Sequence, residues 1–236
     1  MCFSATASFV TAAALTPIGV ASVAMARRRD PDRWLPLALL PLLFASQQAL
    51  EGVVWLGLTA QEPWPGLRLA ALAYLTFALA VWPVWIPWSA LRLSTGRATA
   101  WQRRLLRSLL GLGALLAGSL WIPLMLHPDL ITPIVHHGSI NYQMQLSWAD
   151  RLGHQPIRVI YALIICLPLL CHPYRRLCWL AFSLALGFAV AQLAFLYAFS
   201  SVWCYFSAVI SVLVLWVLQG EPPSSEQPSP NRLSRP

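Results

Sequence analysis

The sequence predicts an all-α bundle of seven transmembrane helices, N-terminus outside and C-terminus inside, followed by a polar tail. Three observations predict it. The 236 residues are 58% apolar and 10% charged, with a mean hydropathy of +0.63, far from the averages of water-soluble domains. The apolar residues gather into stretches near the ~20 residues that cross a bilayer. Arginines collect in alternate loops, the pattern that orients spans in a membrane.

The first stretch, MCFSATASFVTAAALTPIGVASVAMA, runs into Arg27, Arg28, Arg29 and Arg33. A secretory signal carries its positive charge ahead of the apolar core, whereas here the charge follows it. An uncleaved first span entering from outside is the expectation. Its Ala, Ser and Thr content suits close helix contact, and Pro17 with Gly19 marks a kink. Later spans fall at about 34–58, 67–91, 105–126, 156–172, 177–199 and 202–219 by the length rule. Residues 1–219 then form a single membrane domain. Residues 220–236, rich in Pro and Ser, read as a disordered cytoplasmic tail.

The net charge of +8 comes from arginine alone, since the sequence has no lysine. Inside loops receive Arg27, Arg28, Arg29 and Arg33, then Arg92, Arg97, Arg103, Arg104 and Arg107, then Arg175 and Arg176. Arg232 and Arg235 follow in the tail. Only Arg68, Arg151 and Arg158 fall outside, near helix ends. This bias orients every span, and it assigns the basic charge to the lipid bilayer rather than to nucleic acid. A retinal cofactor is excluded, because its Schiff base needs a lysine. Five cysteines without a CxxC motif point to free thiols among helices rather than to a disulfide framework.

Within the second span, Pro41–Trp55 reads PLLFASQQALEGVVW. Gln47, Gln48 and Glu51, three and four residues apart, share one helix face, and Trp55 extends it by a turn. Glu51 is the one acidic residue inside a membrane-length segment. A carboxyl group in hydrocarbon is costly, so its default reading is a functional site with a partner. This span runs from inside to outside, which puts Glu51 roughly 10 Å below its outer end at 1.5 Å per residue. Gln192 falls in the outer half of the sixth span, Trp203 and Cys204 open the seventh there, and Cys2 and Ser4 precede the first.

The run WPVWIPW, Trp82 to Trp88, lies near the inner end of the third span and reads as an interfacial anchor. The longest outer loop contains ITPIVHHGSINYQM, alternating on both sides of His137-Gly138. That predicts a short β-hairpin between the fourth and fifth spans. A hairpin there would cover the bundle as a lid, with His136, His137, Asn141 and Tyr142 as candidates to face Glu51.

The functional expectation is an outward-facing polar pocket around Glu51 that binds a small ligand or a metal ion. Gln47, Gln48, Trp55 and Gln192 supply its walls from the spans. Asn141, Tyr142 and Trp203 supply them from the outer side. A metal version uses Cys2, Glu51, His136, His137 and Cys204, whose N, S and O donors suit zinc or copper. Loss of Met1 would add an α-amine beside the Cys2 thiol. Three other readings compete. FASQQAL in the second span aligns with FAVAQLA in the sixth, pairing Gln48 with Gln192, as in solute carriers made of two three-helix repeats joined by a fourth helix. Glu51 as acid or base, with Cys2 or Cys204 as nucleophile, would make a membrane enzyme, although no motif links them. In the plainest reading the polar side chains only join helices.

Taken together, MCFSATASF, FASQQALEGVVW, WPVWIP and SVWCYF resemble an uncharacterised group of bacterial multi-pass membrane proteins that open MCFSA. The resemblance runs from the start to about Gln219. It implies a bacterial inner-membrane setting, and it implies that Cys2, Ser4, Gln48, Glu51, Trp55, Trp203 and Cys204 belong to recurring motifs. It implies no activity.

The predicted orientation is open to direct measurement. Cysteines introduced in the 127–155 loop should react with an impermeant thiol reagent added outside, and those in the 92–104 loop should not. The reverse pattern would invert every depth assignment.

Overall fold

The computed structural model describes residues 4–62, 64–96, 98–136, 138–194 and 199–220, without the side chains of His154, Phe188, 191–194 and 199–207. Helix dominates, as expected. Helix α1 (Ala5–Arg27) begins at Ser4, whose extended backbone and side chain cap it by accepting the Ala7 N–H at 3.2 Å. Its buried stripe, Ser8, Ala12, Leu15, Gly19, Ser22 and Ala26, recurs every three to four residues.

The second rod spans Pro31–Thr59 as α2 (Pro31–Ala38) and α3 (Leu40–Thr59), interrupted at Leu39. Pro41 has no N–H to continue the ladder, which accounts for the break. Helices α1 and α3 pack closely over their length. A Cβ at Gly52 would lie 2.8 Å from the Phe9 ring, and one at Gly19 2.5 Å from the Leu42 side chain. The two contacts run in opposite directions along the pair, so the helices are antiparallel.

The third rod, Leu67–Leu93, consists of α4 (Leu67–Leu75), a π-helical stretch (Thr76–Val81) and α5 (Trp82–Leu93). The wide turn follows from Pro83. The Trp82 N–H donates to Phe77 O, five residues back, and Pro83 has no N–H to offer Ala78 O. The Tyr161 hydroxyl donates to that carbonyl instead, at 2.6 Å. Helix α6 (Ala100–Leu126) starts with a Thr99–Gln102 capping box. Where α6 crosses α5, a Cβ on Gly113 would collide with Pro83 O.

A hairpin follows. Strands β1 (Ile131–His136) and β2 (Ser139–Met144) are antiparallel, and His136 pairs with Ser139. The reversal follows His136, and Gly138 within it takes φ +75°, as the alternation around that glycine predicts. The chain ends in α7 (Ser147–Leu152), α8 (His154–Leu170), α9 (Arg176–Ala194) and α10 (Phe199–Gln219). Residues 221–236, where the disordered tail is expected, lie outside the described residues.

Four rods are long and apolar enough to cross a membrane: Ala5–Arg27, Pro31–Thr59, Leu67–Leu93 and Ala100–Leu126. The apolar parts of α8, α9 and α10 coincide with the last three predicted spans but are shorter over the described residues. Large apolar side chains stand exposed along the rods, among them Val10, Val20, Leu69, Leu115 and Ile122. Water would disfavour such a surface and lipid would not.

The interior has two parts. One, toward the arginine end, joins Trp34, Leu37, Phe44, Trp82, Leu180 and Val217. The other, toward the hairpin, joins Val54, Trp55, Tyr74, Leu124, Ile140 and Tyr142. The Trp-Pro run differs from its expectation as an interfacial anchor. Trp82 is 2% exposed and stacks on Phe44 at 4.3 Å, while Trp85 Nε1 donates to Pro36 O at 2.8 Å. These indoles join α5 to the broken second rod, because Pro36 and Pro41 disturb the helix ladder there.

Gly113 tests this packing. Gly113→Val should destabilise the protein by about 1–3 kcal/mol through overpacking. At Gly111 a Cβ meets nothing within 4 Å, so Gly111→Ala should be neutral or gain up to about 1 kcal/mol of helix propensity. Thermal unfolding in detergent separates the two. Equal effects would contradict the close α5–α6 crossing.

Candidate functional site

The polar face of α3 is enclosed. Gln47 is 2% exposed, Gln48 1%, Glu51 0% and Trp55 4%, so the stripe read from the spacing does point inward. The members do different work. Gln47 Oε1 accepts the Trp82 Nε1–H at 2.8 Å in a buried bond. An indole is only a donor, so the bond orients the Gln47 amide and ties α3 to α5. Gln47 is a joint.

Gln48 and Glu51 are deeper still, and each has a partner, as do Trp55, Tyr74 and Tyr142. One turn toward the hairpin, Trp55 and Val54 pack with Tyr74 of α4 and Tyr142 of β2. The two tyrosine rings stack at 4.6 Å with an interplanar angle of 10°. Ile131 and Ile140 are buried in the same cluster. The hairpin thus covers the ends of α3 and α4, as the lid expectation has it.

Its underside is not the one expected. Alternate residues of a strand point to opposite faces, and the covering face carries Ile131, Pro133, Ile140 and Tyr142. Asn141 pairs with Ile134 on the other face and is half-buried. His136 is exposed near the tip. Of the loop candidates, Tyr142 alone among the described residues joins the aromatic roof. The apolar positions decide the register and leave His136 and Asn141 facing away.

The other predicted positions are not placed. Cys2 and His137 lie outside the described residues, as do the side chains of Gln192, Trp203 and Cys204. Among the described residues no three His, Cys, Asp or Glu side chains gather to hold a metal ion. With Glu51 enclosed and His136 exposed, those two do not share a ligand sphere. Cys166, Cys171 and Cys178 are free thiols.

A cavity of about 460 Å³ lies beside α3, lined by Val53, Leu56, Gly57, Ala60, Glu62 and Trp64. At about 100° per residue these α3 positions are on the face opposite Glu51. The cavity is a separate surface feature, and Glu51 itself sits in a closed interior.

Two partners escaped the sequence reading. Tyr74 had a visible signal, a phenol inside the apolar run LAALAYL. The Trp82–Gln47 bond had none, because it depends on how the π turn ahead of Pro83 aims the indole across to α3.

The opening motif, the α3 stripe and the hairpin all fall within one family match. The chain belongs to the family of unknown function DUF6629. The match covers residues 1–229. No curated protein and no solved structure matches the chain.

The Gln47 joint makes its own prediction. Trp82→Phe keeps the stack on Phe44 but removes the donor, leaving a buried carbonyl that costs about 1–3 kcal/mol. Gln47→Leu combined with Trp82→Phe should recover part of that loss. A double-mutant cycle by thermal unfolding reads the coupling, and strictly additive losses would show that the bond contributes nothing.

Proposed function

We propose that the chain is a seven-span integral membrane protein of the bacterial inner membrane, N-terminus outside, whose Glu51 site in the outer half binds a small ligand or cation. One observation carries the reading. Glu51, well inside the second rod, is 0% exposed, on a face it shares with Gln48, beneath an aromatic roof and a hairpin. Four rods of membrane-crossing length and an apolar exposed surface support the setting. The arginines at one end support the orientation.

Joining helices does not need a carboxyl. Gln47 already does that work with an amide, and an amide costs less to bury than an ionisable group. What a carboxyl adds is a proton to exchange or a charge to offer. The enclosed site must open for anything to reach it, and α1, α4, α10 and the hairpin are among the elements packed on α3.

Glu51→Gln separates the readings, since it keeps shape and hydrogen-bonding capacity while removing the charge. The proposal expects the variant to insert and melt within a few degrees of wild type and yet to fail in complementing a growth defect of the deletion strain. Full complementation by a stable variant would reduce Glu51 to a helix joint.

A further inference from the structure

Three of the five hydroxyls along α1 follow one rule. Thr11, Thr16 and Ser22 each donate to the carbonyl four residues back, at 2.9, 2.8 and 2.9 Å. This is how a hydroxyl satisfies itself in an apolar helix. Ser8 does not. It is 0% exposed, and its Oγ is buried with no hydrogen-bond partner among the described residues.

Its position gives the exception a meaning. The Phe9 ring rests on Gly52 and the helices are antiparallel, so Ser8 and Glu51 differ in depth by about 3 Å at 1.5 Å per residue. Ala5, one turn away on the same face of α1, packs against the cluster that holds Trp55, Tyr74 and Tyr142. Ser8 is on the buried face of α1, at the level of the carboxyl and beneath the aromatic roof. Helix α1 is also the least enclosed of the four long rods, and it meets α3 across small residues at Gly19 and Gly52.

We propose that Ser8 belongs to the Glu51 site and that the ligand is a small cation, its hydroxyl bonding the ligand when the start of α1 moves off α3. This rests on the reading of Glu51 as a binding group. A carboxyl, a carboxamide oxygen and a hydroxyl all offer lone pairs to a cation. Trp55, one turn along α3 from Glu51, brings an indole whose π face attracts positive charge.

The test uses Ser8→Cys in intact membranes and two methanethiosulfonate reagents, one with a trimethylammonium head and one with a sulfonate head. Modification is read peptide by peptide, with exposed Thr6→Cys as the reference for each reagent. The expected result is reaction at position 8 about tenfold faster with the cationic reagent after that correction, the lower range for an acidic cleft. The preference should vanish in Ser8→Cys combined with Glu51→Gln. No reaction at position 8 while Thr6→Cys reacts would overturn the role of Ser8 and leave the Glu51 reading to its own complementation test. Reaction without charge preference, or a preference that survives Glu51→Gln, would overturn the cation. Ser8→Ala supplies a second arm: with no bond to lose, it should melt at or above the wild-type temperature. A clear loss of stability would show that Ser8 is bonded within the protein, which sinks the proposal.

Discussion

A polar group inside a bilayer-length helix has no water to turn to, and this structure depends on how each such group finds protein instead. The prolines make the problem acute. Pro41 and Pro83 interrupt rods that would otherwise satisfy themselves, and aromatic donors from other helices meet the carbonyls left over. Trp85 reaches Pro36 O, and Tyr161 reaches Ala78 O in the π turn. At the arginine end, Arg33 donates to Leu93 O through Nε and Nη2 at 3.1 and 2.9 Å, closing the end of α5. The same bonds that satisfy the backbone therefore also hold the rods together.

Against that background, the two groups that break the pattern are informative. Glu51 is ionisable where an amide would serve, and Ser8 has no hydrogen-bond partner among the described residues, where Thr11 and Ser22 on the same helix back-bond. They lie at nearly the same depth on an antiparallel pair. A helix pair selected only for packing has no use for either departure. A pair that opens to take up a cation has a use for both.

Much of this was legible in the residues. The inward face of Gln47, Gln48, Glu51 and Trp55 follows from helical spacing, and the turn at His137-Gly138 follows from alternation around a residue suited to positive φ. The rods that hydropathy marks out are helices in the structure. What was not legible depends on tertiary aim. His136 and Asn141 turn away because the apolar residues of the hairpin decide its register. Trp82 enters the core because a π turn rotates it there, and no local pattern announces a π turn. Ser4 belongs to the opening motif and turns out to cap α1, a role that position alone suggests only once the helix start is known.

The central claim is that Glu51 is a working carboxyl in a closed site that opens. Treating native membranes with the hydrophobic reagent dicyclohexylcarbodiimide and mapping the modified carboxyls by mass spectrometry tests it most directly. Modification at Glu51 that slows with a small organic ammonium ion present is the expected result. Glu51 left untouched, while the exposed Glu62 is modified in the same sample, would contradict it.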